Sequence, residues 1–389
     1  MSYEKNNIKL SVVTALFSKI VILLFFVFNF EKISAQENES NQIASYPNVE
    51  IPGTHVREIY SSIVGQEFRL HINLPRNFAD TTKTFPVVYL LDSQWDFPLV
   101  QAIYGEQYYD GFLPELIIVG ITWGGENPNP VILRYRDFTP TDVTLTGASG
   151  NAPKFLEFIK NELIPFIETN YKASKSDRTL MGSSLGGLFT LYALFNHSDL
   201  FNRYVLTSPA LNWDNAITFT YEKNYAAKNG NLPVNLYMAV GKYETVLMKG
   251  FELLTSQIKK SNYKDFKMET RILEGIGHSG SKAEGYTRGL QYVFERHETK
   301  VDKAILQKYT GKYQFSSEVI INVTFEDGKL IVLTPGNAKI ILHAETEKDF
   351  FAKGEFTYVH FKNDNEGNII GFTMQRYERE SFVKKIKEN

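Results

Sequence analysis

Short apolar runs separated by polar stretches dominate the middle of the chain. Residues 85–91, 116–121, 203–207 and 234–240 are mainly apolar, which is typical of strands that other elements cover on both faces. Residues 66–75 alternate apolar and polar side chains instead. This alternation predicts an antiparallel strand with one face in water.

Helical periodicity fills the segments between these runs. Residues 153–171 repeat apolar side chains at helical spacing, with Pro165 late in the run as a predicted kink. Residues 246–260 also predict a helix, and residues 267–273 predict one more strand. Strands that alternate with helices predict an α/β fold, in which helices cover both faces of a mostly parallel sheet. Ligands of such sheets bind beyond the carboxyl ends of the strands.

The pattern changes after about residue 300, where short alternating runs follow one another to the end. Asp327 and Gly328 separate two of these runs, and Asp-Gly between alternating runs is a strong hairpin signal. We therefore predict a small all-β module over residues 301–389. The catalytic domain is expected over residues 55–298, preceded by a polar linker at 36–54.

The first 35 residues are typical of a signal peptide. Lys5 and Lys9 precede an apolar stretch at 20–28, and Ser34 and Ala35 are small residues of the kind found at cleavage sites. The apolar stretch is about half as long as the roughly 20 residues that a spanning helix needs. We expect a cleaved signal that meets the membrane only transiently and a periplasmic or secreted protein, with a retained anchor as the alternative.

Composition narrows the function classes. The 389 residues are 43% hydrophobic and 22% charged, and the formal net charge is −2. With no long run of basic residues, we predict no nucleic-acid partner. There is no cysteine, which excludes disulfides and thiolate metal sites. His55 and His71 are isolated and no H-E-x-x-H motif occurs, so we predict neither a metal site nor a cofactor.

Residues 178–189 contain the strongest chemical signal. Gly182 and Gly186 flank Ser184 in the only G-x-S-x-G of the chain, after an apolar run and before a helix-like stretch. This pattern is typical of the nucleophile elbow of α/β-hydrolases, a strained turn that exposes the serine. We predict Ser184 as the nucleophile and the Leu185 N–H as an oxyanion donor. An ordinary glycine-rich turn is the alternative.

A serine nucleophile needs a base, and in this fold the acid and then the histidine follow it in the chain. His278 lies in a glycine-rich loop after the last strand predicted for the sheet, so we predict it as the base, with an exposed loop histidine as the alternative. The other histidines after Ser184 are given structural positions: His197 at the end of the elbow helix, His297 in a late helix, and His343 and His360 in the β module.

Glu244 follows the penultimate strand of the sheet, where the orienting acid is expected. Glutamate is the rarer choice there, and exposed loop carboxylates are common. Asp214, which follows the preceding strand, is the competing acid, and we expect it to be structural or to line the pocket. The second oxyanion donor is expected in the loop after the 85–91 run, at residues 91–95.

Residues 55–297 resemble the esterase D-type branch of α/β-hydrolases, which includes enterobactin and bacillibactin esterases, feruloyl esterases and mycolyltransferases. The segments that carry the resemblance are 90–93, 134–140, 182–187, 208–209 and 277–279. The resemblance implies that Gln94 and Leu185 supply the oxyanion N–H groups. Two residues depart from the family pattern: Ser93 stands where many relatives have glycine, and Glu244 where aspartate is commoner.

Arg134 and Arg136 are candidate anchors for an anionic or catecholate substrate. The alternative for both is a structural ion pair with Asp137 or a nearby carboxylate. Trp95 and Trp213 are further candidates for the substrate pocket. The segments 93–115 and 122–150 are expected to be loops that choose the substrate.

The sequence thus predicts an exported serine esterase that works through an acyl-enzyme on a small-molecule or glycan-linked ester. Its segment at 134–140 most resembles siderophore esterases, which cleave catecholate trilactones. There are three alternatives: a feruloyl or acetyl esterase acting on polysaccharide, an acyltransferase, and a catalytically dead hydrolase that serves as a binding protein.

Overall fold

The computed structural model describes residues 49–80, 82–143, 148–336, 338–377 and 379–386. The predicted signal peptide and residues 36–48 of the predicted linker lie outside these residues. The described residues from Gly53 onward belong to one compact unit, which contains both the α/β sheet and the C-terminal β structure.

Eight strands form one mixed sheet, which confirms the predicted α/β-hydrolase fold. Their order across the sheet is β1-β2-β4-β3-β5-β6-β7-β8. The strands are β1 Thr54–Ser61, β2 Gln66–Asn73, β3 Phe85–Leu90, β4 Ile117–Trp123, β5 Ala173–Ser183, β6 Arg203–Thr207, β7 Asn235–Gly241 and β8 Lys267–Leu273. β1 pairs antiparallel with β2, and β2 with β4, while the remaining neighbours are parallel.

Helices cover both faces of this sheet. They are α1 Ser93–Tyr109, α2 Pro130–Phe138, α3 Ala152–Phe158, α4 Ile164–Asn170, α5 Leu185–Asn196, α6 Ile217–Ala226, α7 Thr245–Ser261 and α8 Ser281–Val293. In the described part of the chain, no helix has the length and apolar character to cross a membrane. His297 lies in an irregular segment after α8, so its predicted helical position is wrong. Residues 295–300, which follow the buried Phe294, are all polar and offer a helix no apolar face to bury.

The predicted kink in the 153–171 helix occurs as a π-helical turn, Ile159–Leu163, between α3 and α4. Pro165 lies in the first turn of α4, where its missing N–H does least harm. A proline cannot donate to the carbonyl four residues earlier. The helix therefore changes its hydrogen-bonding pattern in the turn before Pro165.

α1 and α2 lie within the segments 93–115 and 122–150 that the sequence predicted to be loops. α1 contains Pro98, and its apolar residues do not form a single stripe, because both the sheet and α8 cover it. α2 begins with an Asn129 side-chain cap and with Pro130 at its first position. Burial by neighbouring elements, rather than periodicity, thus stabilises α1.

The C-terminal residues form a closed eight-stranded barrel, which confirms the predicted small β domain. Its strands are β9 Gly311–Gln314, β10 Ile320–Glu326, β11 Lys329–Leu333, β12 Lys339–Ala344, β13 Asp349–Ala352, β14 Thr357–Asn363, β15 Ile369–Arg376 and β16 Arg379–Lys385. Asp327 and Gly328 take left-handed conformations in the predicted hairpin turn. A short helix, α9 Lys303–Lys308, precedes the barrel, and Tyr309 after it stacks on Phe361 at 4.0 Å in the barrel core.

Candidate active site

Ser184 occupies a strained turn between β5 and α5. Its φ of 58° and ψ of −116° lie outside the ordinary regions for a residue with a side chain. The Ser184 N–H donates to the Thr207 carbonyl at 3.1 Å. A Cβ at Gly182 would lie 2.7 Å from the backbone of Gly186. Gly182 is therefore required by the close approach of strand and helix, as expected of a nucleophile elbow.

Glu244 and His278 form a hydrogen-bonded pair at the carboxyl edge of the sheet. The distance from His278 Nδ1 to Glu244 Oε2 is 2.5 Å. The other carboxylate oxygen accepts hydrogen bonds from Ser208 Oγ at 2.5 Å and from the Gly241 N–H at 2.8 Å. Burial raises the pKa of Glu244, but the hydrogen bonds from His278, Ser208 and Gly241 outweigh it and leave this pKa below its ordinary value. Glu244 is thus held ionised and oriented toward the imidazole.

The turn after β7 and the loop after β8 are packed together around this pair. The Tyr243 N–H donates to the Ile276 carbonyl at 3.0 Å. A Cβ at Gly241 would lie 2.5 Å from the same oxygen. Within the described residues Ser184 and His278 share no hydrogen bond, and such contacts in enzymes often form only when substrate is bound.

The N-termini of α1 and α5 lie side by side next to Ser184. The Leu91 N–H donates to the Met181 carbonyl at 2.9 Å, and a Cβ at Gly186 would lie 3.3 Å from Asp92 Oδ2. Gln94 and Leu185 are at the starts of these helices, where backbone N–H groups lack intrahelical acceptors. This is an arrangement that could bind an oxyanion.

The Gln94 side chain is also chemically available. Both of its amide atoms are buried, and among the described residues neither has a hydrogen-bond partner. A buried amide without partners is costly in a folded protein.

Ser93 is directed away from the nucleophile. Its hydroxyl lies 2.8 Å from His71 Nδ1 on β2. A Cβ at Gly120 of β4 would lie 2.1 Å from Ser93 Oγ. Burial and the nearby Arg69 charge lower the pKa of His71, so the imidazole stays neutral beneath the sheet edge. Gly120 on the neighbouring strand therefore accommodates the Ser93 side chain, which stands where many relatives have glycine.

Arg134 forms a buried ion pair with Asp92. Its Nε and one terminal nitrogen donate to the two Asp92 oxygens at 2.9 and 2.8 Å. The Arg134 guanidinium also lies 5.7 Å from the centre of the half-exposed Trp95 ring. Asp92 takes a left-handed conformation at the start of α1. The ion pair thus holds α2 against the turn that presents Gln94.

Arg136 makes a similar bidentate pair with its neighbour Asp137, at 2.8 and 2.7 Å. Asp137 is fully buried and also accepts hydrogen bonds from Trp123 Nε1 at 2.7 Å and Asn151 Nδ2 at 2.9 Å. Both arginines therefore have the carboxylate partners that the sequence left open as an alternative to substrate binding.

Trp213 lies on the loop after β6, half-buried. Its Nε1 donates to Thr141 Oγ1 at 3.1 Å, and its ring centre is 6.2 Å from that of Tyr135 on α2. The competing acid Asp214 sits in a left-handed turn, and no hydrogen bond joins it to His278 in the described structure. Glu244 is the carboxylate that reaches this histidine.

A buried cluster that the sequence did not indicate links α1 to α8. The Asp96 carboxylate accepts a hydrogen bond from Lys282 Nζ at 2.6 Å and one from Tyr286 Oη at 2.9 Å. Burial raises the pKa of Asp96, although Lys282 opposes the shift. In the sequence, the only indication of this cluster is that Lys282 lies four residues after the predicted base His278. The cluster connects α1, which carries the predicted oxyanion donor Gln94, with the helix that follows the predicted base.

In the residues that the structure describes, no group of three or more His, Asp or Glu side chains is placed to hold a metal ion. The side chains of Ser184, His278 and Glu244 are instead arranged for nucleophilic catalysis. A serine at a strained turn, an imidazole oriented by an ionised carboxylate and two helix N-termini together suit acyl transfer.

Two family models match the chain. The model titled "Putative esterase" matches residues 61–278, and that of a domain of unknown function (DUF3471) matches residues 295–387. The first covers strands β2 to β8 of the sheet and every predicted active-site residue. The second covers the barrel and the segment that leads into it.

Curated relatives include siderophore esterases. The chain is 32% identical to the ferri-bacillibactin esterase BesA of Bacillus subtilis over 210 residues, which are 50% of this chain and 72% of that protein. It is 26% identical to the siderophore triacetylfusarinine C esterase of Aspergillus fumigatus over 164 residues, 41% of this chain and 56% of that protein.

Solved structures agree with these relatives. The BES protein from Bacillus cereus matches with a TM-score of 0.59 and 26% identity, over 64% of this chain and 97% of that chain. The enterobactin and salmochelin hydrolase IroE matches with a TM-score of 0.51 at 19% identity, over 65% of this chain and 99% of that chain. The second likeness supports the fold alone.

Proposed function

The chain belongs to this esterase family and is a carboxylic ester hydrolase, and we propose that it is an exported serine esterase that hydrolyses a catecholate siderophore trilactone. The observation that carries the proposal is the hydrogen-bonded Glu244–His278 pair at the same sheet edge as the strained Ser184. A protein that had lost catalysis would have no need to keep an ionised carboxylate oriented toward an exposed imidazole. This weighs against a dead hydrolase.

In the proposed mechanism, Ser184 Oγ attacks the ester carbonyl and His278 Nε2 takes its proton. Glu244 stabilises the imidazolium through Nδ1. The N–H groups of Leu185 and Gln94 bind the oxyanion of the tetrahedral intermediate. Its collapse gives the proton from His278 to the leaving alkoxide and forms an acyl-enzyme. A water molecule, deprotonated by His278, then releases the carboxylic acid and restores the serine.

Two observations support the substrate class. The chain covers 72% of a relative that is named a ferri-bacillibactin esterase. Beside the predicted oxyanion donors, the half-exposed Trp95 ring offers an aromatic surface on which a catecholate ring could pack. The Gln94 side-chain amide, which has no hydrogen-bond partner among the described residues, is a further group that could form a hydrogen bond with such a substrate.

The first test compares hydrolysis of a catecholate trilactone, with and without bound iron, with hydrolysis of a feruloyl ester and of p-nitrophenyl acetate. Products are separated by liquid chromatography. Ser184→Ala should abolish turnover of every ester. Ser183→Ala is the matched control, because the neighbouring hydroxyl is buried and has no hydrogen-bond partner among the described residues.

Preferred turnover of the trilactone by the wild type supports the proposed substrate. Preferred turnover of the feruloyl ester would transfer the proposal to polysaccharide esters. Turnover that survives in Ser184→Ala would overturn the serine mechanism itself.

Export is tested separately, by fractionating cells that express the full chain. The proposed signal requires an extracytoplasmic protein whose first residue, determined by mass spectrometry, follows Ala35. A full-length cytoplasmic protein would contradict export and leave the esterase mechanism untouched.

A further inference from the structure

A second cleft lies between the end of α1 and the barrel, and it plays no part in the proposed chemistry. Its volume is about 810 Å³, within the range of small-molecule sites. It is lined by Arg76, Tyr108, Tyr109, Phe315, Met374, Arg376, Tyr377, Arg379 and Ser381.

The lining carries three positive charges and, among its described residues, no acidic side chain. Arg376 and Arg379 face each other directly across the β15–β16 pair. Neither forms an ion pair in the described structure, and like charges at directly opposed positions destabilise a sheet. An anion placed between the two guanidiniums would relieve that repulsion.

The aromatic wall of the cleft is held in an unfavourable backbone conformation. Tyr377 has a φ of 54° in the turn between β15 and β16, a position that glycine or asparagine normally fills. Its ring stacks on Tyr109 at 4.6 Å with 24° between the planes, and on Phe356 at 5.6 Å. A bulky residue persists in this conformation only when something compensates for the strain.

The cleft lies where the C-terminal end of α1 contacts the barrel. Tyr108 on α1 packs edge-on against Phe356 of the barrel, with ring centres 5.2 Å apart. A Cβ at Gly111 would lie 2.7 Å from the Glu355 carbonyl, so the contact is close. The 17 residues of α1 span about 25 Å, and Gln94 lies at the opposite end. The cleft is therefore separate from the active site.

We propose that this cleft binds a planar aromatic anion that carries two or more acidic groups. Guanidinium groups recognise planar carboxylates in bidentate fashion and also stack on rings. The stacked tyrosines offer a flat face for the ring of the ligand. Asp110, which follows Tyr109, is a nearby acidic residue in the chain but does not line the cleft.

Calorimetric titration of the full-length protein tests this site with probes that are not esters. Benzene-1,3,5-tricarboxylate should bind with one-to-one stoichiometry and more tightly than citrate, a trianion without a ring, or benzoate, a ring with one charge. Added salt should weaken the binding. Binding of citrate as tight as that of the aromatic tricarboxylate would overturn the aromatic part of the proposal.

Arg376→Gln/Arg379→Gln should weaken binding of the tricarboxylate at least tenfold. Lys348→Gln/Lys362→Gln removes the same charge from exposed barrel positions outside the cleft and should leave the affinity unchanged. Equal affinity in the arginine variant, or an equal loss in the lysine variant, would overturn the site.

Tyr377→Gly separates recognition of the ring from folding, since glycine favours the left-handed conformation and should not destabilise the turn. The affinity for the tricarboxylate should then fall to that for citrate. An unchanged preference would show that the aromatic wall takes no part. Because the probes are not hydrolysed, these results are independent of the proposed esterase activity.

Discussion

At the residue scale, the candidate site depends on groups that hold one another in place. Glu244 has a partner on each oxygen, and Asp92 is fully engaged by Arg134. Such fixed polar contacts keep catalytic groups oriented without reorganisation during the reaction. Because these contacts involve ionised carboxylates, the stability of the folded protein also depends on the charge state of Glu244 and Asp92.

Glu244→Gln should lower stability in a pH-dependent way. The pKa of Glu244 is lowered in the folded protein, so its ionised form stabilises the fold above the unfolded pKa of about 4.3. That contribution disappears as the pH falls through the lowered folded pKa. The difference in free energy of unfolding between wild type and variant, measured with urea, should therefore be larger at pH 7 than at pH 3.

Glu274→Gln is the control for this measurement, because Glu274 is exposed and, among the described residues, forms an ion pair only with Lys242, at 3.2 Å. Its effect should be small at both pH values. A Glu244→Gln difference that stays constant with pH would contradict the stabilising role of the ionised carboxylate.

Asp92→Asn should destabilise the protein by about 3–5 kcal/mol, because it leaves the Arg134 guanidinium without a countercharge in a largely buried site. It should also lower kcat for p-nitrophenyl acetate, since the turn that presents Gln94 loses its support. Urea unfolding and steady-state kinetics measure the two effects.

The double variant Asp92→Asn/Arg134→Gln should lose less stability than the sum of its single variants, as neither charge is then left unpaired. Strict additivity would show that the pair contributes no coupling.

At the scale of elements, the start of α1 is positioned by the strands beneath it. Ser93 reaches His71 on β2, and Gly120 on β4 leaves the space for its hydroxyl. Asp96 in the same helix reaches Lys282 on α8. The helix that begins beside the predicted oxyanion donor Gln94 thus contacts three elements that are distant in sequence.

Gly120→Ala should destabilise the protein by about 1–3 kcal/mol, because its Cβ would lie 2.1 Å from Ser93 Oγ. Ser93→Gly removes the hydroxyl that the Cβ would meet. The double variant Ser93→Gly/Gly120→Ala should therefore be more stable than the sum of the two single changes implies.

Thermal unfolding of the wild type, the two single variants and the double variant measures the coupling between Ser93 and Gly120 directly. As a control, Gly105→Ala introduces a Cβ on α1 with no atom within 4 Å and should not lower stability. A Gly120→Ala loss that Ser93→Gly does not reduce would rule out the proposed steric contact.

At the scale of the whole molecule, the barrel supports α1 from the end opposite the active site. The helix passes from Gln94 at one end to the aromatic contacts of Tyr108 and Tyr109 at the other. The barrel contributes no residue to the candidate triad. Its influence on catalysis should be limited to the stability of the helix.

Removal of residues 299–389 should leave turnover of p-nitrophenyl acetate within a few-fold of the full chain. It should lower Tm, because the aromatic end of α1 becomes exposed, at roughly 2–4 °C per kcal/mol lost. Calorimetric Tm and steady-state kinetics are compared for the full and shortened chains, each with its Ser184→Ala control. Lost turnover in a folded, shortened chain would show that the barrel takes a direct part in catalysis.

Much of the architecture followed from local pattern. The runs at 203–207 and 267–273 coincide with β6 and β8, and the Asp327–Gly328 turn joins β10 to β11. β1 was not predicted, since its mixed polar composition does not mark it as a strand. α1 and α2 were also missed, because tertiary burial and capping stabilise them without a regular apolar stripe.

The sequence alone determined most strands, the Asp327–Gly328 hairpin and the elbow at Ser184, because a strand, a hairpin turn and a nucleophile elbow each depend on residues close together in the chain. Only the tertiary structure decided which carboxylate reaches His278, why Ser93 fits and what engages Arg134. The contacts Ser93–Gly120, Glu244–His278 and Asp92–Arg134 join residues 27, 34 and 42 positions apart. The cleft at Arg376 and Arg379 likewise exists because packing brings the end of α1 against the barrel, and no local pattern encodes that meeting.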